Sequence, residues 1–283
     1  MADLPVPRVP REALPEGAVD SHAHIIGSEF ALAPGRAEDP PEIGLAATVA
    51  GYRAQLSALG CQRGVLVHSI LYGLDNSVTV EAIRQLGPGF SGIGLVSDKA
   101  DGAVLDRFPD WRLRGVRLNH VHGGVLSWEG ALALAPALAE RDLHIEMLLH
   151  THAHLEAIEQ DIRALATPLV IDHLGWPDLT LGVEEPGFQT LLRLLADGHV
   201  HVKLSAIYRL CDPPYDQAAP FVEALVRANP ERCLWGSDWP HLMLGDARMP
   251  DAGALLDAVF DVVTDEESRQ RIFAETPARL YRL

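Results

Sequence analysis

Eight short runs of apolar and β-branched residues recur along the chain with helical spacing between them, and this alternation constrains the fold more than any other feature. The runs are Val19 to His24, Gly64 to Ser69, Gly92 to Val96, Gly115 to Asn119, His144 to Leu149, Leu169 to His173, Val200 to Ser205 and Cys233 to Asp238. Each has the length and residue types of a strand. Between them, Leu45 to Leu59, Val78 to Leu86, Glu129 to Glu140, Leu155 to Leu165, Phe188 to Ala196 and Ala219 to Ala228 carry apolar residues at the spacing of an amphipathic helix. Strands separated by helices pair in parallel, because the crossover brings the chain back to start in the same direction. Eight such units in 283 residues predict an α/β fold, a closed (β/α)8 TIM barrel, as a single domain over residues 1–283 with 1–16 as an N-terminal extension. An open doubly wound sheet is the alternative. No Gly-x-Gly-x-x-Gly or Walker loop follows the first strand, which weighs against it. Beyond Pro250 the chain adds C-terminal helical stretches, with Asp251, Thr264 and Thr276 as expected N-caps.

Composition narrows the partners. The formal net charge is −16 and only Lys99 and Lys203 are lysines, whereas surfaces that track nucleic-acid phosphates or anionic membranes need clustered Lys and Arg. Apolar stretches are interrupted well before the ~18 residues of a spanning helix. The start Met1-Ala2-Asp3, followed by prolines, does not read as a signal peptide, so a cytoplasmic protein is expected. Cys61, Cys211 and Cys233 are odd in number and lack Cys-x-x-Cys spacing, which argues against a disulfide framework or a zinc ribbon. The expected partner is a small-molecule substrate, and the sequence leaves monomer and homo-oligomer both open. The stretch from Gly27 to Pro41, long for a strand-to-helix connection, is expected to be a lid.

In a barrel of this kind the active site lies at the C-terminal ends of the strands. Strand one ends in His22 and His24, whose spacing of two aims both imidazoles at one spot. Strand six ends in Asp172-His173 and strand eight in Ser237-Asp238. One such histidine alone is more often a hydrogen-bonded packing residue, but His22, His24, His173 and Asp238 at one barrel face make a set with a shared use. They can hold one divalent ion, zinc first, with an open position, or act without metal as a proton-transfer cluster.

Four segments, Asp20-Ser-His22-Ala-His24, Val170-Ile-Asp172-His173-Leu-Gly-Trp-Pro-Asp178, Val202-Lys203-Leu204-Ser205-Ala-Ile-Tyr208-Arg209-Leu and Leu234-Trp235-Gly236-Ser237-Asp238-Trp239-Pro240-His241, together with the ending Ile272-Phe-Ala-Glu-Thr-Pro277-Ala-Arg279-Leu280, resemble the amidohydrolase superfamily. The similarity is to its branch containing 2-pyrone-4,6-dicarboxylate lactonase and sugar-acid lactonases, and it runs from about residue 18 onward. The resemblance implies hydrolysis of a cyclic ester. In that chemistry Asp238 takes a proton from the attacking water and returns one to the leaving oxygen, while His22, His24 and His173 polarise the carbonyl. It also implies that Ser69, Arg117 and Arg209 bind substrate. Binuclear members add a lysine or glutamate on a middle strand where this chain has Leu148, so one metal ion is the upper bound, and none is required.

The chain departs from the lactonase pattern at four places, reading Gly123 and Trp176 where that pattern has arginines and Leu148 and Glu38 where it has tyrosines. A doubly anionic substrate is then poorly matched, and a lactone with one carboxylate or none is expected. Trp176 and His150 are further pocket candidates, His150 because it follows Leu148 at a spacing of two. His120 and His122 are expected to bind substrate or coat the rim, and His152 and His154 to be rim residues. Tyr72 and Tyr208 are candidate pocket walls. Two other readings stand beside the metal-optional lactonase: a mononuclear zinc hydrolase or non-oxidative decarboxylase using all four site residues as ligands, and a non-catalytic ligand-binding barrel.

Overall fold

The computed structural model describes residues 4–36 and 38–283 and contains a single eight-stranded parallel sheet in the order β1 to β8. The strands are Val19–Ala23, Arg63–Val67, Phe90–Gly94, Leu113–Asn119, His144–Leu148, Leu169–Ile171, Val200–Leu204 and Cys233–Trp235. The segment after β8 closes the sheet on β1: Asp238 N donates to His22 O at 2.8 Å, His24 N to Trp239 O at 2.6 Å, and Ala23 bridges Trp239. Gly236 makes this approach possible, since a Cβ there would lie 2.5 Å from His22 Cβ. The result is the expected (β/α)8 barrel.

The helices follow as α1 Leu45–Leu59, α2 Ser77–Leu86, α3 Gly102–Leu105, α4 Trp128–Ala139, α5 Glu156–Ala164, α6 Pro186–Ala196, α7 Ala219–Ala228 and α8 Ala252–Val262. Their ends are set by local chemistry. Ser127 caps α4 by accepting from Gly130 N, Glu185 precedes Pro186 at the start of α6, and Gly60 ends α1 in the left-handed conformation. Asp251 caps α8 as expected. The next cap is Asp265, one residue past Thr264, because its carboxylate reaches Ser268 N. Thr276 caps nothing. Glu266–Gln270, Arg271–Glu275 and Thr276–Tyr281 run on as one helix with a π turn in its middle, and the Thr276 hydroxyl donates to Glu231 O.

Strand alternation divides the core in two. Ile145, Met147, Val202, Leu204, Val116 and Leu118 face outward into the layer beneath the helices, while Val19, Val65, Val67, Ile93, Val170 and Leu234 form a separate cluster inside the barrel. Tyr281, from the last helix, plugs that interior cluster. In β1 the register slips by one residue between Asp20 and Ala23, a bulge that lets both Val19 and His22 face inward despite their odd spacing. The extension packs along α8, with Arg8 and Arg11 paired to Asp257 and Trp239 Nε1 donating to Pro5 O. Residues 1–3 of the extension and Ala37 of the expected lid lie outside the described residues.

Candidate active site

A cavity of about 360 Å³ opens where the strands end. His24, Ser69, Arg117, His173, Trp176, Arg209 and Asp238 line it, all of them residues the sequence singled out. His22 lies directly beneath, fully buried. Its Nε2 is 3.3 Å from His24 Nε2, and Asp238 Oδ1 is 3.7 Å and 3.5 Å from these two nitrogens. Asp238 itself is held at φ 60°, a left-handed backbone that strains a non-glycine residue and is found where a side chain must be aimed.

The two oxygens of Asp238 have different surroundings. Oδ2 accepts from Tyr208 OH at 2.7 Å and from Arg209 Nε and Nη2 at 3.2 Å each. Oδ1 is buried and has no hydrogen-bond partner. Burial alone would raise this carboxyl, but the Arg209 guanidinium and the neighbouring imidazoles outweigh it and hold Asp238 well below the usual carboxylate range. Burial pushes the other way on the histidines, lowering His22 well below its ordinary value with help from Lys203 and bringing His173 down to about 4. At neutral pH the site therefore pairs an ionised Asp238 carboxylate with the uncharged imidazoles of His22 and His173.

The same atoms fit a cation. His24 Nδ1 sits 2.7 Å from Val67 O, an acceptor, so the ring proton is on Nδ1 and Nε2 presents a lone pair. That lone pair and the unpartnered Asp238 Oδ1 face each other at 3.5 Å with no proton assigned between them, a contact that a cation or the protons of a water molecule would relieve. His22, His24 and Asp238 converge as one candidate ligand group; His173 instead converges with His22 and Asp172, its Nδ1 tied to Ser205 Oγ at 2.8 Å. The four residues are thus neighbours, but their ligand atoms do not all share one point. Leu148 lines the cavity and supplies no ligand.

Below His22 lies a charged group to which the sequence reading assigned no role. Lys203 Nζ is 2.6 Å from Glu146 Oε2, 3.5 Å from Asp172 Oδ1 and 3.1 Å from His22 Nδ1, and all four residues are fully buried. Tyr281 OH donates to Glu146 at 3.3 Å. Burial and the nearby Asp172 push the Glu146 carboxyl up, and Lys203 opposes them. A lysine and a glutamate centred in apolar strand runs were the available signal, since such residues are seldom buried without a partner. Asp20 has a similar structural task, accepting from Ser237 N and Ser237 Oγ at 2.8 and 2.6 Å and so fixing the residue beside Asp238.

Other expectations change. His150 does not line the cavity: β5 stops at Leu148, and the His150 ring turns to Trp176, with Nδ1 3.2 Å from Trp176 O. His122, with Asn119, lines the cavity instead. No described residue of 27–41 lines it either, because Ala33 N is bonded to Leu71 O and Glu38 Oε1 accepts from Met243 N at 2.7 Å. The roof is the segment Leu242 to Ala247, which Glu38 braces from outside. Tyr208 grips Asp238, Tyr72 OH donates to Gly27 O, and His120 and His154 pack edge to face outside the cavity.

A family model described as Amidohydrolase matches residues 19–283. The chain belongs to the amidohydrolase family. Within it, the chain is 36% identical over 277 residues to 4-sulfomuconolactone hydrolase of Rhizobium radiobacter, covering 95% of this chain and 91% of that one. It is 32% identical over 290 residues to 2-pyrone-4,6-dicarboxylate hydrolase of Comamonas testosteroni, covering 97% and 93%. A solved structure from Pseudomonas putida, described as a candidate 2-pyrone-4,6-dicarboxylic acid hydrolase, superposes with a TM-score of 0.81 at 28% identity, over 95% of this chain and 98% of the other. The family match covers all eight strands of the barrel and every residue named at the site.

Proposed function

We propose that the chain hydrolyses a small lactone bearing one anionic group, with Asp238 as the proton-transfer residue. The observation that carries this is the divided environment of Asp238, a residue lining the cavity: Oδ2 is locked by Tyr208 and Arg209, while Oδ1 is ionised, buried and without a partner. An attacking water gives its proton to Asp238 Oδ1 as its oxygen bonds to the carbonyl carbon. When the ring C–O bond breaks, the departing alkoxide takes that proton back, leaving a hydroxy acid. With the His24 Nε2 lone pair turned to the site, polarisation of the carbonyl falls to His173, whose Nδ1 can accept from Ser205 Oγ and leave Nε2–H to donate, with His22 and His24 completing the wall around the reacting group. The lactone hydrolases among its relatives support the substrate class.

Charge supports a single anionic group. Of the two cations lining the cavity, Arg209 is consumed by Asp238 and by the carbonyls of Leu242 and Met243. Arg117 is buried, makes no ion pair among the described residues and bonds only His68 O, leaving Nε without a partner. A guanidinium in that state matches one carboxylate or sulfonate. Three free cysteines fit a reducing cytoplasm; among the described residues no helix is long and apolar enough to cross a membrane.

A divalent ion, zinc first, would be held by His22, His24 and Asp238. Bound there, it would acidify water and polarise the carbonyl. The proton transfers at Asp238 do not depend on it. The test is a panel of neutral, singly and doubly anionic lactones followed by acid release, with Asp238→Asn beside the native chain and with metal content measured before and after chelation. The expected result is hydrolysis confined to lactones and fastest for singly anionic ones. Unchanged turnover in Asp238→Asn would sink the assignment, and activity lost on chelation and restored by zinc would make the ion obligatory.

A further inference from the structure

A second cavity, of about 550 Å³, opens at the other end of the barrel, beneath the starts of β5, β6 and β7. Its walls combine three arginines, Arg232, Arg279 and Arg282, with two histidines from the strands on either side of β6, His144 of β5 and His201 of β7. The histidines are only 2% and 6% exposed, yet His144 Nε2 and His201 Nδ1 have no hydrogen-bond partner. Buried ring nitrogens normally find one. The arginines are unequally compensated. Arg282 is 3.2 Å from Asp142 Oδ2, and the other lining acid, Glu231, is 3.4 Å from Arg271, whereas Arg232 and Arg279 make no ion pair among the described residues. In a chain of net charge −16, two uncompensated guanidinium groups around one cavity run against the overall balance.

The chemistry of these groups specifies the occupant. Guanidinium offers donors only, and a neutral imidazole offers one donor whose position follows its partner. A group with several acceptor oxygens and negative charge answers all of them, and water supplies no charge. We propose that this cavity is an anion site that takes a phosphate group, either inorganic phosphate or the head of a small phosphorylated compound, between Arg232, Arg279, His144 and His201. The site is separate from Arg117 and Asp238, which line the cavity at the opposite strand ends. The imidazoles also report occupancy. Burial, with Lys203 acting on His144 and Arg232 and Arg279 acting on His201, brings both down to about 3. A bound anion opposes the arginines and moves both upward.

The experiment is titration of the full chain with inorganic phosphate and, separately, glucose 6-phosphate at constant ionic strength, followed by calorimetry and by the ring-nitrogen resonances of the histidines. Native protein and Arg117→Met are expected to bind alike, with the His144 and His201 ring-nitrogen signals displaced as the anion binds. Arg232→Ala/Arg279→Ala is expected to bind at least about tenfold more weakly, the loss of charge-assisted hydrogen bonds. If that pair fails to fold, Arg279→Glu alone, at an exposed position, carries the same comparison. Tighter binding of the sugar phosphate assigns the site to phosphorylated compounds, and tighter binding of phosphate to the free ion. Binding that survives removal of both arginines, that disappears in Arg117→Met, or that leaves the two imidazoles unmoved would overturn the proposal.

Discussion

The layer between strands and helices and the space enclosed by the strands are both buried, yet they are built from opposite chemistry. The outer layer is continuous and apolar, with Phe188, Leu191, Leu194 and Leu195 of α6 fully buried in it. The enclosed space is apolar only where Val19, Val65, Val67, Ile93, Val170 and Leu234 meet Tyr281; elsewhere it holds His22, Arg117, Glu146, Asp172 and Lys203. Desolvating that many charges costs several kcal/mol per ion, and mutual pairing offsets it only in part. The outer layer thus stabilises the barrel, while the enclosed space spends stability to aim His22 and Asp238.

The sharpest way to break this division is Asp238→Asn. It should lower kcat/KM per folded molecule by about 10²–10⁴-fold, and also lower the unfolding midpoint because Arg209 loses its buried anionic partner, measured by acid release and urea unfolding. Lys203→Met comes next, stranding Glu146 and Asp172 without their cation. Stability should fall by about 3–5 kcal/mol, and Lys203→Met/Glu146→Leu should recover most of that loss while turnover stays low. Equal stability of the two variants would show that the buried charges are not energetically coupled. In the outer layer, Leu194→Ala should cost about 2–5 kcal/mol and leave kcat/KM per folded molecule unchanged; a matching drop in activity would erase the distinction.

A further effect concerns pH. Burial lowers His68 to about 4 and His144 and His201 to about 3, so the unfolded chain binds protons at these residues below about pH 6.5 while the folded chain does not. Their contribution is complete above that pH and is lost as pH falls toward 4, at up to about 1.4 kcal/mol per unit for each histidine. Asp20, raised to about 6 by burial, works in the opposite direction between about pH 4 and 6. Urea unfolding of His68→Gln across this range should show a shallower acid decline than the native chain. An identical slope would remove His68 from the account.

Much of this organisation is legible in the residues, for a definable reason. Periodicity of two and of three-to-four located the eight strands and most helices because each depends on neighbours a few residues away. The short α3 at Gly102–Leu105 escaped because four residues carry too little pattern. His150 was misplaced because alternation holds only while the strand lasts, and β5 ends at Leu148. Loop length alone points to residues 27–41 as the lid, but which loop roofs a cavity depends on what packs beneath it. Glu146 and Lys203 stood in the sequence as anomalies without partners, since neither residue specifies the other at that separation.

By itself, the sequence determined a parallel barrel with imidazoles and a carboxylate at the ends of strands one, six and eight, because side-chain direction within a strand is fixed by local geometry. Only the tertiary structure decided that a bulge in β1 turns both Val19 and His22 inward, that Arg209 is consumed while Arg117 is free, and that His22 rests on Lys203, Glu146 and Asp172. Those outcomes depend on contacts between distant parts of the chain. Charge pairing and closure of a barrel are properties of the folded whole, and no window of neighbouring residues contains them.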